Sequence, residues 1–278
     1  MKLAAIAAMA ALITVPALAH GLFDDDDCKY TAARRASTPS AGITKVVIHA
    51  ESGSLEVTGT PGAAQIAVDG KACTSDDDFL PRMTLSLRKV GSELHIDANI
   101  PEKTLIFGFF YARLDFAVTL PQGLPVSIDD DSGWMKVANT GATTIDDDSG
   151  GIEVRNVRGS LTIHDDSGSI EVDTVTGNVT IEDDSGELSV KNVTGSVEIE
   201  DDSGAISVAR IDGSLRIRND DSGSITIQNV KRDVLIDEDG SGSVEVADIG
   251  GNFTVSHKGS GSIDYERVGG KVSIPEPR

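Results

Sequence analysis

Between residues 132 and 274 one phrase recurs eight times, and that fixed period constrains the fold more than any other feature of the chain. It reads Ser-Gly-x-Ile-x-Val-x-x-Val-x-Gly-x-Val-x-Ile, followed by a short acidic stretch and the next Ser-Gly. The pairs begin at Ser132, Ser149, Ser167, Ser185, Ser203, Ser222, Ser241 and Ser260, at spacings of 17, 18, 18, 18, 19, 19 and 19 residues. A repeat of this size is the mark of a stacked, quasi-one-dimensional architecture.

Five apolar columns run down the repeats. Within the third repeat they are Ile170, Val172, Val175, Val179 and Ile181, and the other repeats keep branched residues at nearly every equivalent position. The first two columns are two residues apart, as are the last two, so each pair lies on one face of a strand. The middle column sits at the bend between them. A single coil cannot bury its own apolar face, but the coils above and below complete it, with like residues stacked about 4.8 Å apart. The expected fold is all-β: a parallel β-helix (β-solenoid) with coils of about 18 residues and two strands per coil. Gly141, Gly159, Gly177, Gly195, Gly213, Gly251 and Gly270 follow the bend, where a positive φ or tight packing calls for them. Arg232 replaces this glycine once, which predicts an altered turn there. The first repeat is one residue short and carries Thr140 and Thr143 where apolar columns belong.

The stack does not begin at Ser132. Val46 and Ile48 alternate, and Glu51 to Val57 repeat the later phrase, so an early coil of the same solenoid is expected near residue 43. Register is then lost for some sixty residues. Ile66/Val68, Met83/Leu85/Leu87, Leu94/Ile96/Ala98 and Leu114 to Leu120 read as half-buried antiparallel strands inserted near the N-terminus. Leu105 to Tyr111 is aromatic-rich, with Phe107, Phe109 and Phe110, and is either core packing or a hydrophobic contact patch. Trp134 opens the resumed stack.

Residues 1–19 carry Lys2, an apolar run to Val15 and a small-x-small site at Ala17-Leu18-Ala19, the pattern of a secretory signal peptide. The expected division is therefore 1–19 signal peptide, 20–41 flexible acidic and polar tether, 42–123 N-terminal β region, and 124–278 repetitive solenoid. No later apolar run is long enough to span a bilayer as a helix, so no transmembrane segment is expected after signal cleavage. Export to the periplasm, cell envelope or extracellular space suits a disulfide between Cys28 and Cys73. A formal charge of −21 disfavours nucleic acid and anionic membrane surfaces as partners.

Each Ser-Gly is preceded by acids: Asp129 to Asp131, Asp146 to Asp148, Asp165-Asp166, Asp183-Asp184, Asp201-Asp202, Asp220-Asp221, and Asp237 to Asp239 with Glu238 between. In register these carboxylates stack along one edge, and something must relieve their repulsion. One reading is that an Asp and the Ser cap backbone N–H groups of each turn. The other is a ladder of cations, Ca²⁺ above all, held by Asp147, Asp148, Asp165, Asp166, Asp183, Asp184, Asp201, Asp202, Asp220 and Asp221. No other cofactor is expected.

Repeated Asp-Ser-Gly-x-Ile-x-Val phrases behind a signal peptide, with Leu120-Pro121-Gln122-Gly123 closing an alternating segment, resemble the bacterial "putative adhesin" family of exported β-solenoid proteins. The likeness covers residues 42 to 274 and implies a structural role, with no binding residue to carry over. Three functions follow: a non-catalytic envelope or secreted protein meeting a protein or glycan at the cell surface, a calcium-stabilised matrix protein, and a polysaccharide-acting β-helix enzyme. The enzyme is disfavoured, because its site needs unlike residues converging in a cleft. Here the acids are regular and His20, His49, His95, His164 and His257 are scattered. No catalytic residue is expected.

Overall fold

The solenoid rises by parallel pairing of each coil on the next. The computed structural model describes residues 28–101 and 110–275. The signal-peptide reading and residues 105–109 of the aromatic run lie outside the described residues. Strands are β1 (Tyr30–Pro39), β2 (Lys45–His49), β3 (Leu55–Thr60), β4 (Gln65–Thr74), β5 (Thr84–Val90), β6 (Glu93–Asn99), β7 (Ala112–Pro121), β8 (Val126–Asp130) and β9 (Gly133–Ala138). From Thr143 onward two-stranded coils repeat as far as Val272–Ser273.

Register is strict. Ile170 pairs with Leu188 and Leu188 with Ile206, and all three are buried. The early coil predicted near residue 43 is present: β2 pairs in parallel with β8, and β3 with β9. The inserted region is divided in its role. Strands β6 and β7 pair in parallel with β2 and β3, so they form a further coil beneath the early one. The opposite edges of that coil are covered by antiparallel neighbours, β5 on β6 and β4 on β7. The chain descends one coil from β3 to reach β6 and β7, then passes over β2 and β3 to start β8.

The tether expected over residues 20–41 is corrected for most of its described part. Tyr30–Pro39 is a ten-residue strand paired antiparallel along the whole of β4. Its inward face is only half-buried and carries Ala32, Arg34, Ala36 and Thr38 after Tyr30, so the sequence lacks the apolar alternation that would have revealed it. Cys28 and Cys73 are bonded, Cα atoms 5.6 Å apart, and so fasten the start of β1 to the end of β4. Antiparallel β1, β4 and β5 thus close the N-terminal edge of the stack, the kind of edge that otherwise invites another strand.

Turns explain the glycine pattern. Gly133, Gly150, Gly168, Gly186, Gly204, Gly223, Gly242 and Gly261, the glycines of Ser-Gly, all have φ between 122° and 155°. A Cβ on Gly186 would fall on the carbonyl oxygen of Gly168, and the same collision recurs at each later coil. The glycines after the bend behave differently: of the seven, only Gly159 has positive φ, while the others allow a close approach to the coil before. A Cβ on Gly213 would meet the Gly195 carbonyl oxygen, so Arg232 at the equivalent place needs a local shift of the backbone, although its carbonyl still accepts from Gly251 N–H at 3.0 Å. The bend itself is made one residue before the middle column. Asn139, Asn156, Thr174, Asn192, Arg210, Asn229, Asp248 and Arg267 all hold φ of 54° to 65°, the left-handed region in which Asn is the favoured non-glycine residue.

Candidate functional site

On the strand that carries the last two apolar columns, inward residues alternate. In one coil they are Leu161, Ile163 and then Asp165, all buried. Period two therefore carries the inward phase beyond the isoleucine and into the acidic corner. The result is a sixth interior column made of Asp130, Asp147, Asp165, Asp183, Asp201, Asp220 and Asp239, each no more than 4% exposed. Coils of 19 residues keep it aligned. Between the coils of Ile199 and Ile217 a bulge takes up Arg218, so that Asp201 still faces Asp220.

The remaining acids of the corners point outward. Asp148, Asp166, Asp184, Asp202 and Asp221 are exposed. The ten aspartates named from the sequence as one cation ladder are thus two rows, five buried and five exposed, and the buried row gains Asp130 and Asp239. The serines tie the corners together: the hydroxyls of Ser149, Ser167, Ser185, Ser203 and Ser241 donate to the carbonyl oxygens of Asp131, Asp148, Asp166, Asp184 and Asp221 at 3.3–3.4 Å. Capping of N–H groups, the first reading of the motif, is met in good geometry by Asp183, whose Oδ1 accepts from the Ser185 amide at 3.2 Å, and more loosely at Asp130, Asp147, Asp165, Asp201 and Asp220, whose proton affinity the following serine amide lowers.

Apart from these corner amides, no group donates to the inner row among the described residues. Thirteen carboxylate oxygens of these seven residues are buried without a well-formed hydrogen bond among the described residues. Asp115, also buried, shows what a partnered interior carboxylate looks like here: it accepts from Ser54 N–H at 2.9 Å and Arg113 Nε at 3.1 Å. Unit charges at the rung spacing of about 4.8 Å repel by about 3–4 kcal/mol at an effective dielectric of about 20. Burial is the main cause that raises the affinity for protons. It lifts Asp130, Asp147, Asp165 and Asp201 to about 7 and Asp183 and Asp220 to about 6. The charge of neighbouring rungs adds to this at Asp147, Asp165, Asp201 and Asp220, and the following serine amide partly offsets it.

The column has defined ends. Asp129 pairs with His49, and His49 with Asp97, which places Ala50 and Ala98 at the next inward position; both are buried. At the other end Asp239 pairs with Lys258, which holds the next rung and draws the Asp239 carboxyl back toward ionisation against its burial.

The outer faces carry a different pattern. Along the strand of the first two columns, Lys136, Arg155 and Lys191 alternate with Glu153 and Glu171, linked at 3.6 Å (Lys136–Glu153), 3.5 Å (Arg155–Glu171) and 2.8 Å (Lys191–Glu171), with Arg155 also on Glu153. The Lys191 hydrogen bond holds the Glu171 carboxyl below its ordinary range. Trp134 stands half-exposed on this face over Gly151, where a Cβ would meet its ring, and Lys136 Nζ lies 5.8 Å from the ring centre. The described histidines are on the other outer face. His49 lies 3.3 Å from Asp129 and 6.3 Å, ring to ring, from His95, while His164 pairs with Glu182 of the next coil. Among the described residues, the one group of three acids with ligand atoms within 4.8 Å of one another is Asp76, Asp77 and Asp78, mostly exposed.

The inner row was within reach of sequence reasoning. Leu-x-Ile-x-Asp in register gives it, but columns followed only through apolar residues stop at the isoleucine.

Comparison with known proteins gives a family. The family model described as Toastrack DUF4097 matches residues 43–259. No curated protein matches the chain. Among solved structures, the chain is similar to a "putative adhesin" from Bacteroides fragilis NCTC 9343, at 15% identity and TM-score 0.42, covering 88% of this chain and 98% of that one. A "putative adhesin" from Parabacteroides distasonis ATCC 8503 is 10% identical with TM-score 0.38, covering 88% and 97%. A "putative lipid binding protein" from the same organism is 12% identical with TM-score 0.30, covering 87% and 97%.

Proposed function

The chain belongs to the Toastrack DUF4097 family, and we propose that it is a non-catalytic exported protein of the cell envelope that presents the side of its solenoid to a protein or glycan partner. One observation carries this reading: polar groups repeat coil by coil along the outer faces instead of converging at one place. A surface of that kind suits adhesion or assembly through many weak, equivalent contacts. Trp134, with Lys136 beside it, is the exposed aromatic on the charged face and the natural anchor for a partner. No described helix is long and apolar enough to cross a membrane. The leader-like pattern of residues 1–19 supports export of the mature chain.

The test is binding of the purified chain to isolated envelopes of its source cells, with mass spectrometry of the native N-terminus alongside. We expect saturable binding that falls at least tenfold in Trp134→Ser, and a mature chain starting at His20. Unchanged binding in that variant would remove the charged face from the account. Turnover of an acidic polysaccharide, abolished by one point mutation, would replace the reading with an enzyme.

A further inference from the structure

We propose that the inner column of seven aspartates is a proton-binding ladder, in which successive carboxyl groups share protons along the solenoid axis and make the fold most stable in mild acid. The geometry requires some counter-species. Seven side chains almost wholly removed from water, stacked rung on rung, leave thirteen oxygens without a well-formed hydrogen bond, the corner amides meeting them only loosely. A protonated carboxyl supplies the missing part, since it donates one O–H and still accepts. A proton on every second rung gives each ionised neighbour a charge-assisted bond without any other group entering the interior.

A divalent cation fits the column less well. Between two rungs it meets two carboxylates and so at most four oxygens, whereas Ca²⁺ takes six to eight. The corner carbonyls of Asp130 and Asp147 already accept from the amides of Asp148 and Asp166, at 3.1 and 3.2 Å. Protons need no such shell.

The charged groups that face the ladder act in opposite senses. Asp129 and Asp131 beside the first rung, and Asp148, Asp166, Asp184, Asp202 and Asp221 at the later corners, disfavour ionisation of the inner row. Lys258 at the last rung favours it at Asp239. Burial, the largest cause, raises the inner carboxyls from 3.8 to about 6–7, so the folded chain holds protons that the unfolded chain releases. Their contribution is complete below about pH 4 and is lost as pH rises through 6–7, up to about tenfold in the folding equilibrium per pH unit for each titrating rung.

The experiment uses the full chain labelled with carboxyl-¹³C aspartate, in chelator, titrated by NMR from pH 4 to 9, with thermal melts over the same range. We expect several aspartates to titrate above pH 5.5 and the melting temperature to fall between pH 5 and pH 8. The pair Asp165→Asn/Asp201→Asn flattens that fall, while Asp166→Asn/Asp202→Asn in the outer row leaves it as steep as in the parent. If the inner pair does not fold, the wild-type titration decides alone. All aspartates titrating near 4, or an inner pair as pH-dependent as the parent, overturns the proposal. So does a pH dependence that disappears when Ca²⁺ replaces the chelator, which would make the column a cation ladder.

Discussion

At the scale of single residues, two backbone columns decide where the coil turns. The Ser-Gly glycines cannot carry a side chain, because φ near 150° and the carbonyl of the coil beneath exclude a Cβ together. Gly186→Ala is therefore expected to destabilise by at least about 2 kcal/mol, read as a lower urea midpoint. The second column is the left-handed residue before the middle apolar position. Thr174, a β-branched residue at φ 65°, is the strained member of a set that includes Asn156 and Asn192. Thr174→Asn should stabilise by about 0.5–1 kcal/mol, and a fall in melting temperature would contradict this account of the bend. The Val-x-x-Val spacing announced a bend. That it rests on one left-handed residue per coil was not legible, since Thr and Arg occupy the position alongside Asn. The buried aspartates were hidden for another reason: runs of two or three acids offer several candidates for one inward slot, and only the register with Ile163 and Ile181 picks one.

Elements test whether coils are interchangeable units. In the short first repeat Thr140 and Thr143 are buried and their hydroxyls bond each other at 2.8 Å, with Thr143 also on the Gly141 carbonyl at 3.1 Å. Thr143→Val leaves the Thr140 hydroxyl short of a partner and should cost about 1–3 kcal/mol, while Thr140→Val with Thr143→Val should recover most of it. A double variant as unstable as the single one would show that the pair contributes more than its mutual bond. Deleting residues 179–196 removes one coil and sets Val197 over Leu161, column on column. Nearest-neighbour stacking predicts a folded, modestly less stable chain by circular dichroism. The repeats made these elements readable, as did the echo of the phrase at Glu51 to Val57. Strands β6 and β7 were read as strands but not as a coil, because their partners β2 and β3 precede them by 48 and 61 residues and no repeat phrase marks the pairing.

On the scale of the whole molecule, the two ends differ. The N-terminal edge is closed by β1, β4 and β5 and fastened by the Cys28–Cys73 bond. Among the described residues, Ile263 to Val268 pairs only with the coil before it and leaves Tyr265 half-exposed. Reduction of the disulfide should cost about 2–4 kcal/mol and raise hydrogen exchange in β1 and β4, with the coils beyond Thr143 unaffected. Exchange rising evenly along the chain would mean that the cap and the coils unfold as one unit. In every part the account depends on parallel coils stacked in register at a constant rise. Nitroxide pairs on outward residues of one face measure that rise directly. Lys136 to Thr226 spans five rungs and Lys136 to Asp264 seven, so the separations should be about 24 and 34 Å, growing by about 4.8 Å per coil. Distances that do not scale with the number of coils would contradict the solenoid, and the inner acid column with it.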